Sequence, residues 1–155
     1  MMNQYEEKLK KFLQDSNIQG EHFSFNQSCH SVEDAAKAAN ANTDDFVKNI
    51  CMIDSNGNLI VAIVKGEDRA STSRVAKALN IERPRTATPD EILQKTGYPC
   101  GGTPSFGYDA KFLIDSRVME KDIVFTGGGS EKSLVKISTK ELQKANNGEI
   151  VRARK

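Results

Sequence analysis

The residues best suited to chemistry in this chain are one lysine and two glycine clusters. Lys48 lies inside the apolar segment FVKNICMI, where an ammonium aimed into a pocket would donate to a phosphate or a carbonyl oxygen. Gly101 and Gly102 belong to the stretch TGYPCGGTPSFG, residues 96–107, and three consecutive glycines occupy 127–129. Successive N–H groups in such turns form concave sites for an anion or a carbonyl oxygen. The sequence therefore indicates binding by backbone groups at two turns, with a lysine as the charged group.

Each of these features also has an ordinary structural interpretation. A lysine on a half-buried strand most often faces solvent, and one glycine-rich loop is as often a simple turn as a site. The loop at 97–107 is neither a dinucleotide fingerprint nor a P-loop, because it follows a predicted helix and leads into a predicted strand. Two glycine clusters in one small domain, each at a strand end, favour a pocket between them.

Other catalytic groups are scarce. Cys29, Cys51 and Cys100 show no CxxC spacing, and His22 and His30 are the only histidines. We therefore expect no disulfide framework, no metal site and no cofactor. A Ser-His-Asp or Cys-His arrangement would have to use one of those two histidines, and no motif indicates it. Cys100 is interpreted as a small apolar loop residue and not as a nucleophile.

Length and charge limit the class of protein. The 155 residues fit one compact domain, which we predict to span 1–155. Lys and Arg number 22 against 21 Asp and Glu, so a net charge of +1 offers no strong field to a polyanion or a membrane. No apolar run approaches the roughly 20 residues that span a bilayer, and the first residues lack the pattern of a signal peptide. We expect a cytoplasmic protein without a membrane or DNA partner.

Helical periodicity and capping signals predict five helices. They are expected over YEEKLKKFLQD (5–15), SVEDAAKAA (31–39), STSRVAKALN (71–80), TPDEILQKTG (88–97) and TKELQKA (139–145). The fourth has the clearest boundaries, with Thr88 as N-cap, Pro89 at the first helical position, Glu91 completing a capping box and Gly97 at the C-terminal end. Ser31, Ser71 or Ser73, and Thr139 are the predicted caps of the second, third and fifth helices.

Apolar and β-branched runs predict the strands. They are HFSF (22–25), FVKNICMID (46–54), LIVAIVK (59–65), KFLID (111–115), DIVFT (122–126), LVKIS (134–138) and EIVRA (149–153). The Asn56-Gly57 pair predicts a hairpin between the second and third of these. Strands interleaved irregularly with helices predict an α+β fold with a mixed sheet.

The lysine-bearing strand, the KAL helix, the TGYPCGGTPSFG loop and the GGG turn occur in an order and spacing that resemble a known family. It comprises YbaK and the prolyl-tRNA-synthetase-associated domains, which edit aminoacyl-tRNA. The resemblance covers nearly the whole chain from about residue 22. It implies a mixed, largely closed β-sheet barrel with helices packed on the outside, and hydrolysis of the ester between a wrong amino acid and the terminal adenosine of a tRNA. Such editing is needed because a hydrophobic synthetase pocket rejects a slightly smaller amino acid by only about 1–3 kcal/mol.

The resemblance implies a catalytic set of Lys48, Gly101 and Gly102. Lys48 would contact the 3′-terminal nucleotide and position the ester, while the amides of the two glycines would hold the scissile carbonyl and its developing oxyanion. The attacking water would be oriented by the ribose hydroxyl of the substrate and by the backbone, without a protein nucleophile.

A second set is implied to bind the substrate, with the triple glycine excluding large side chains. It consists of Thr103, Pro104, Ser105, Gly127, Gly128 and Gly129. Two positions depart from the family pattern, since Ser105 stands where a proline is frequent and Tyr108 where some relatives have a histidine.

The sequence thus predicts a trans-acting aminoacyl-tRNA deacylase for a mischarged small amino acid, with tRNA for proline as the favoured carrier. The expected partner is the aminoacylated 3′ end of tRNA, with Arg74, Arg83, Arg85 and the terminal RARK as candidate phosphate contacts. The alternative is a non-catalytic module of the same fold that associates with an aminoacyl-tRNA synthetase or tRNA. A phosphate-ester hydrolase is a weaker alternative, because no ligand set for its metal is found in the sequence.

Overall fold

The computed structural model describes residues 3–26 and 31–155, so Cys29 and His30 lie outside the described residues. Five α-helices are found in this part of the chain: α1 (Gln4–Asp15), α2 (Val32–Ala39), α3 (Thr72–Leu79), α4 (Pro89–Thr96) and α5 (Thr139–Asn146). Eight strands accompany them: β1 (Gly20–Ser24), β2 (Val47–Ile53), β3 (Leu59–Lys65), β4 (Arg85–Thr86), β5 (Lys111–Asp115), β6 (Ile123–Gly127), β7 (Ser133–Ser138) and β8 (Glu149–Val151). All predicted helices and strands are confirmed, and β4 is an addition.

Side-chain caps set the helix starts. Ser71, and not Ser73, caps α3 by accepting from the N–H of Arg74 at 3.1 Å. The predicted box of α4 is confirmed, since Thr88 and Glu91 each accept from the other's backbone N–H.

The predicted cap of α5 was wrong by one residue. Ser138 accepts from the N–H of Glu141 at 3.1 Å, so Ser138 is the N-cap. Thr139 is the first residue of the helix, and its hydroxyl donates to the carbonyl of Lys121 at 2.8 Å. Since both positions carry a hydroxyl, the sequence alone did not distinguish them.

The strands form two sheets. The larger has the order β4-β2-β3-β5-β8, in which β2 and β3 form the predicted antiparallel hairpin and β3, β5 and β8 run parallel. The smaller is antiparallel, with the order β1-β7-β6. The mixed α+β class is therefore confirmed.

The expectation of a largely closed barrel is not supported, because no closed barrel is found in the described part of the chain. Among those residues the two sheets are joined by one isolated parallel bridge, between Phe46 and Phe125. Further along, the side chain of Asn49 on β2 donates to the hydroxyl of Thr126 on β6 at 3.0 Å. A side chain thus occupies the seam where backbone pairing would close a barrel.

The core lies mainly between the two sheets. Val61 and Ile63 of β3 and Val135 of β7 are fully buried there and belong to the same cluster as Leu9 of α1 and Leu142 of α5. The other faces are covered by α3 on the larger sheet and by α2 on the smaller one. Both sheets are thereby fixed against each other, and the seam between them is held in place.

None of the helices that the structure describes is long and apolar enough to cross a lipid bilayer.

Candidate functional site

A pocket of about 640 Å³ opens at the seam between the sheets. It lies between β2, the N-terminal turns of α2 and α4, and the two glycine clusters. Its apolar wall comprises Val32, Ala35, Phe46, Ile92, Phe125 and Leu134, and its polar wall includes Lys48, Asn49, Thr103, Thr126, Glu131 and Ser133. The volume lies within the range of roughly 300–1,000 Å³ that is typical of small-molecule sites.

Lys48 is a half-buried residue of the pocket wall on β2. No ion pair or hydrogen bond of its ammonium is found among the described residues. Lys65 of the neighbouring strand differs, because its ammonium is 2.5 Å from Asp44 and 3.1 Å from Glu67. The hydrogen bond to Asp44 raises the pKa of Lys65. The ammonium of Lys48 is therefore available to a ligand, whereas that of Lys65 is committed to the fold.

Of the two glycine N–H groups in the first loop, only that of Gly101 lacks an acceptor among the described residues. Residues Cys100–Gly102 form a short 3₁₀ turn in which the N–H of Gly102 donates to the carbonyl of Pro99 at 3.0 Å. For the N–H of Gly101 the described residues provide no acceptor, and Gly101 is exposed in the pocket wall. A carbonyl oxygen entering the pocket would therefore find the amide of Gly101 and not that of Gly102.

The two glycine clusters contact each other directly. The N–H of Gly129 donates to the carbonyl of Gly102 at 2.8 Å. A Cβ on Gly102 would lie 2.6 Å from the carbonyl carbon of Gly129, and a Cβ on Gly127 would lie 2.7 Å from that of Thr103. Any side chain at Gly102 or Gly127 would collide with backbone, so these glycines are required for close approach of the loops.

The pocket brings together five of the nine predicted site residues. These are Lys48, Gly101, Gly102, Thr103 and Gly127. The other four, Pro104, Ser105, Gly128 and Gly129, are not among the residues that line it. Gly128 packs against the backbone of β7 and Gly129 against Tyr5 of α1, so both support the turn from behind.

Asn49 connects the loops and was not among the residues predicted from the sequence. Its Nδ2 donates to the carbonyl of Thr103 at 2.9 Å and to Oγ1 of Thr126 at 3.0 Å, while its Oδ1 accepts from Ser105 at 2.6 Å. Ser105 and Thr126 also lie 2.7 Å apart, oxygen to oxygen. The available signal was an amide on a largely apolar strand, because a polar group that is removed from water requires hydrogen-bond partners.

The family is identified by comparison with known proteins. The model of the aminoacyl-tRNA editing domain matches residues 26–145, which is most of the chain. This chain belongs to the aminoacyl-tRNA editing domain family. It is 24% identical over 120 residues to the uncharacterised protein YwhH of Bacillus subtilis (strain 168), a match that covers 76% of each chain.

Solved structures share the fold of this editing domain. A structure described as a candidate trans-editing enzyme for prolyl-tRNA synthetase superimposes with a TM-score of 0.92 at 20% identity, over 100% of this chain and 99% of that one. The hypothetical protein APE2540 gives a TM-score of 0.87 at 21% identity, over 96% of this chain and 99% of its own. At these identities the likeness shows the fold alone.

One of the two described cysteines of the editing domain is unsuited to act as a nucleophile. Cys51 and Cys100 both line the pocket. Burial raises the pKa of the Cys51 thiol to about 12, which keeps it protonated at neutral pH. Cys100 is exposed at the rim of the pocket. In the described part of the chain, no group of three or more His, Cys, Asp and Glu residues is placed to hold a metal ion.

A histidine and a tyrosine, residue types that often act in catalysis, support the glycine clusters in this structure. His22 lies outside the pocket lining, and its Nε2 is 2.8 Å from the carbonyl oxygen of Gly128. The hydroxyl of Tyr108 donates to the carbonyl of Pro104 at 2.7 Å, and burial raises the pKa of that phenol well above its usual value. Tyr108 therefore braces the first glycine loop.

Most of the arginines named as candidate phosphate contacts have protein partners. Arg85 forms a bidentate pair with Glu91 at 2.8 and 2.7 Å, and Arg83 donates to Thr72 at 2.6 Å. In the C-terminal RARK segment, Arg154 pairs at 3.0 Å with the fully buried carboxylate of Asp115. The terminal segment is thereby anchored to the larger sheet.

Proposed function

We propose that this editing domain is a trans-acting aminoacyl-tRNA deacylase for a mischarged small amino acid, with tRNA for proline as the favoured carrier. One observation carries the proposal: Lys48 and Gly101, which are far apart in sequence, lie in the wall of one pocket of about 640 Å³. The choice of tRNA is supported by the fold neighbour described as a candidate trans-editing enzyme for prolyl-tRNA synthetase.

In the proposed reaction, the ammonium of Lys48 binds a phosphate oxygen of the terminal adenosine and thereby fixes the position of the ester. The N–H of Gly101 donates to the ester carbonyl, whose oxygen becomes negative as water adds to its carbon. The ester C–O bond then breaks, the ribose oxygen takes a proton, and the products are free amino acid and deacylated tRNA. The water is oriented by the substrate's neighbouring ribose hydroxyl and by the backbone, so no protein nucleophile is needed.

Selection of a small amino acid follows from the walls of the pocket. Val32, Ala35 and Ile92 are apolar lining residues, and Gly127 contributes backbone to the wall. A hydrophobic pocket discriminates weakly against a smaller side chain but excludes a larger one by collision. Correctly charged prolyl-tRNA would be spared if its ring does not fit beside these walls.

The small net charge of the protein favours an additional protein partner in tRNA binding. The net charge of +1 supplies little general attraction for tRNA, and Arg83, Arg85 and Arg154 are engaged within the protein. Association with an aminoacyl-tRNA synthetase would raise the local concentration of substrate. We propose that the reaction takes place in the cytoplasm, where charged tRNA is used.

A non-catalytic binding module is the second candidate. It is favoured by the hydrogen bond from Gly102 to Pro99, which leaves one free amide where the family resemblance implies two. Such a module would bind tRNA or a synthetase without cleaving the ester.

A panel of labelled aminoacyl-tRNAs distinguishes the two candidates. It should contain alanyl-, cysteinyl- and seryl-tRNA for proline, with prolyl-tRNA for proline as the correctly charged control. The deacylase predicts rapid loss of one small ester and retention of the prolyl ester. Retention of all four esters, with tRNA or synthetase still bound, would support the module.

A further inference from the structure

The N-terminal helix α1 carries a buried carboxylate that the proposed reaction does not use. Glu6 is 4% exposed, whereas Glu7, the other acidic residue of the first turn, is exposed. Burial of a carboxylate costs free energy unless hydrogen bonds satisfy its oxygens. The partners of Glu6 therefore show what its burial accomplishes.

Both carboxylate oxygens of Glu6 are used, and their partners lie on different segments. Oε1 accepts from the hydroxyl of Ser24 on β1 at 2.5 Å, and Oε2 accepts from the hydroxyl of Ser130 at 2.8 Å. Ser130 directly follows the triple glycine. Glu6 thus ties α1 and β1 to the turn between β6 and β7.

From Ser130 the contacts continue to the pocket. Ser130 Oγ lies 2.9 Å from Ser133 Oγ, and the N–H of Ser130 donates to the same oxygen at 3.0 Å. Ser133 lines the pocket. The adjacent Gly129 donates to the carbonyl of Gly102 at 2.8 Å, so the turn held by Glu6 also holds the loop that carries Gly101.

Packing reinforces this connection. A Cβ on Gly129 would lie 2.9 Å from the carbonyl carbon of Tyr5, so the backbone of α1 rests directly on the turn. The N-cap Asn3 fixes the first helical turn by accepting from the N–H of Glu6 at 2.9 Å. The cap thus fixes the backbone of Glu6 at the position from which its side chain reaches Ser130.

We propose that Glu6 is a positioning residue of the editing site, which holds the triple-glycine turn and, through it, the amide of Gly101 at the ester carbonyl. The inference rests on the proposed hydrolysis. Glu6 lies outside residues 26–145, the segment that the family model matches, so α1 contributes to the site from beyond that segment. Lys48 is on β2, and the hydrogen bonds of Glu6 within the described part of the chain lead to Asn3, Ser24 and Ser130. We therefore expect loss of Glu6 to affect the chemical step more than tRNA binding.

The kinetic test compares Glu6→Ala and Glu6→Gln with Glu7→Ala, the exposed neighbour. Displacement of the Gly101 amide is expected to lower kcat of Glu6→Ala by about tenfold to a hundredfold. KM should stay within about twofold, because ground-state binding is retained. Glu6→Gln keeps one amide oxygen as an acceptor and should give an intermediate kcat, while Glu7→Ala should match the wild type. Equal kcat values for Glu6→Ala and Glu7→Ala would overturn the inference.

A double-variant comparison tests whether Glu6 acts through Ser130. If it does, the kcat of the Glu6→Ala, Ser130→Ala double variant should equal that of the less active single variant. Each substitution alone already breaks the hydrogen bond between Glu6 and Ser130. Losses that multiply in the double variant would show separate actions and refute the proposed route.

Amide hydrogen exchange gives a readout that does not depend on activity. In Glu6→Gln, exchange of the Ser130 and Lys132 amides, which donate to Ser133 Oγ and Ser130 Oγ, should be faster than in the wild type. Amides of the buried strand β3 should be unchanged. Unchanged exchange at the turn would overturn the positioning role, even in an active enzyme. An inactive wild type with faster exchange in the variant would instead count against the proposed function alone.

Discussion

At the scale of single residues, the site depends on which polar groups are engaged and which are available. Asn49 satisfies three partners across the seam, so its amide acts as a structural connector beside Lys48. Lys48 differs, because the described residues offer its ammonium no ion pair. Of these two adjacent residues of β2, Asn49 thus fixes the loops and Lys48 remains available to substrate.

Replacement of Asn49 tests this division. Asn49→Ala leaves the carbonyl of Thr103 and the hydroxyls of Ser105 and Thr126 without their shared partner, which should lower the free energy of unfolding by about 1–3 kcal/mol. Urea unfolding measures the change. Gln94→Ala, which removes an exposed amide of α4, is the control and should have a wild-type midpoint. Equal midpoints for the two variants would contradict the connecting role of Asn49.

At the scale of elements, the helix and strand boundaries were largely predictable because local signals specify them. Thr88, Pro89, Glu91 and Gly97 are sufficient to bound α4, and Asn56-Gly57 locates the β2–β3 hairpin. The contact between the two glycine clusters was not predictable, since it depends on how the sheets pack. The sequence placed Gly101 and Gly127 near a pocket, but it did not show that Gly102 and Gly129 are joined by a backbone hydrogen bond.

The glycine contact predicts unequal effects of two neighbouring substitutions. Gly102→Ala places a methyl group against the backbone of Gly129 and Ser130, and it should lower the free energy of unfolding by about 3 kcal/mol. In Gly101→Ala, the new Cβ meets a side chain and not backbone, since the Cγ of Glu131 lies 2.7 Å away. A side chain yields at a lower cost than backbone, so thermal melts should show a larger loss for Gly102→Ala than for Gly101→Ala. Similar melting temperatures would argue against direct packing of the loops.

The N-terminus of α4 predicts part of the acid denaturation profile. Hydrogen bonds from Arg85, and from the Thr88 N–H, lower the pKa of Glu91 from 4.5 to about 2. A lowered pKa means that the unfolded state takes up the proton first, so the contribution of Glu91 to stability is present above pH 4.5 and is lost as the pH falls towards 2.

This contribution is tested by melting Glu91→Gln and the wild type between pH 7 and pH 2. Glutamine retains the capping oxygen but does not titrate, so the melting temperature of the variant should fall less below pH 4.5. Asp90→Asn, which neutralises the exposed carboxylate next to Glu91 in the chain, is the matched control. Parallel curves for wild type and Glu91→Gln would contradict the account of this pair.

At the scale of the whole molecule, the pocket lies at the seam between the two sheets, with β2 and β6 both contributing to its lining. The family resemblance led to the expectation of a barrel, but among the described residues only the Phe46–Phe125 bridge joins the sheets, and Asn49 spans the gap beyond it. Sheet order is set by contacts between residues distant in sequence, which explains why local patterns gave the strands but not their closure.

We still predict that residues 1–155 form a single folding unit. One apolar cluster includes residues of both sheets together with α1 and α5, so we expect these elements to unfold together. Far-UV circular dichroism and the fluorescence of the three tyrosines should give coincident urea transitions. Two separated midpoints would show that the sheets belong to independent units.

The central claim is that this pocket hydrolyses an aminoacyl-tRNA ester with Lys48 in contact with the substrate. The most direct test is single-turnover hydrolysis of the preferred small aminoacyl-tRNA by the wild type, by Lys48→Ala and by Lys140→Ala, an exposed lysine of α5. We predict equal rates for the wild type and Lys140→Ala, and a rate about a hundredfold or more lower for Lys48→Ala at an unchanged melting temperature. Equal rates for all three proteins, or an ester that none of them cleaves, would contradict the claim.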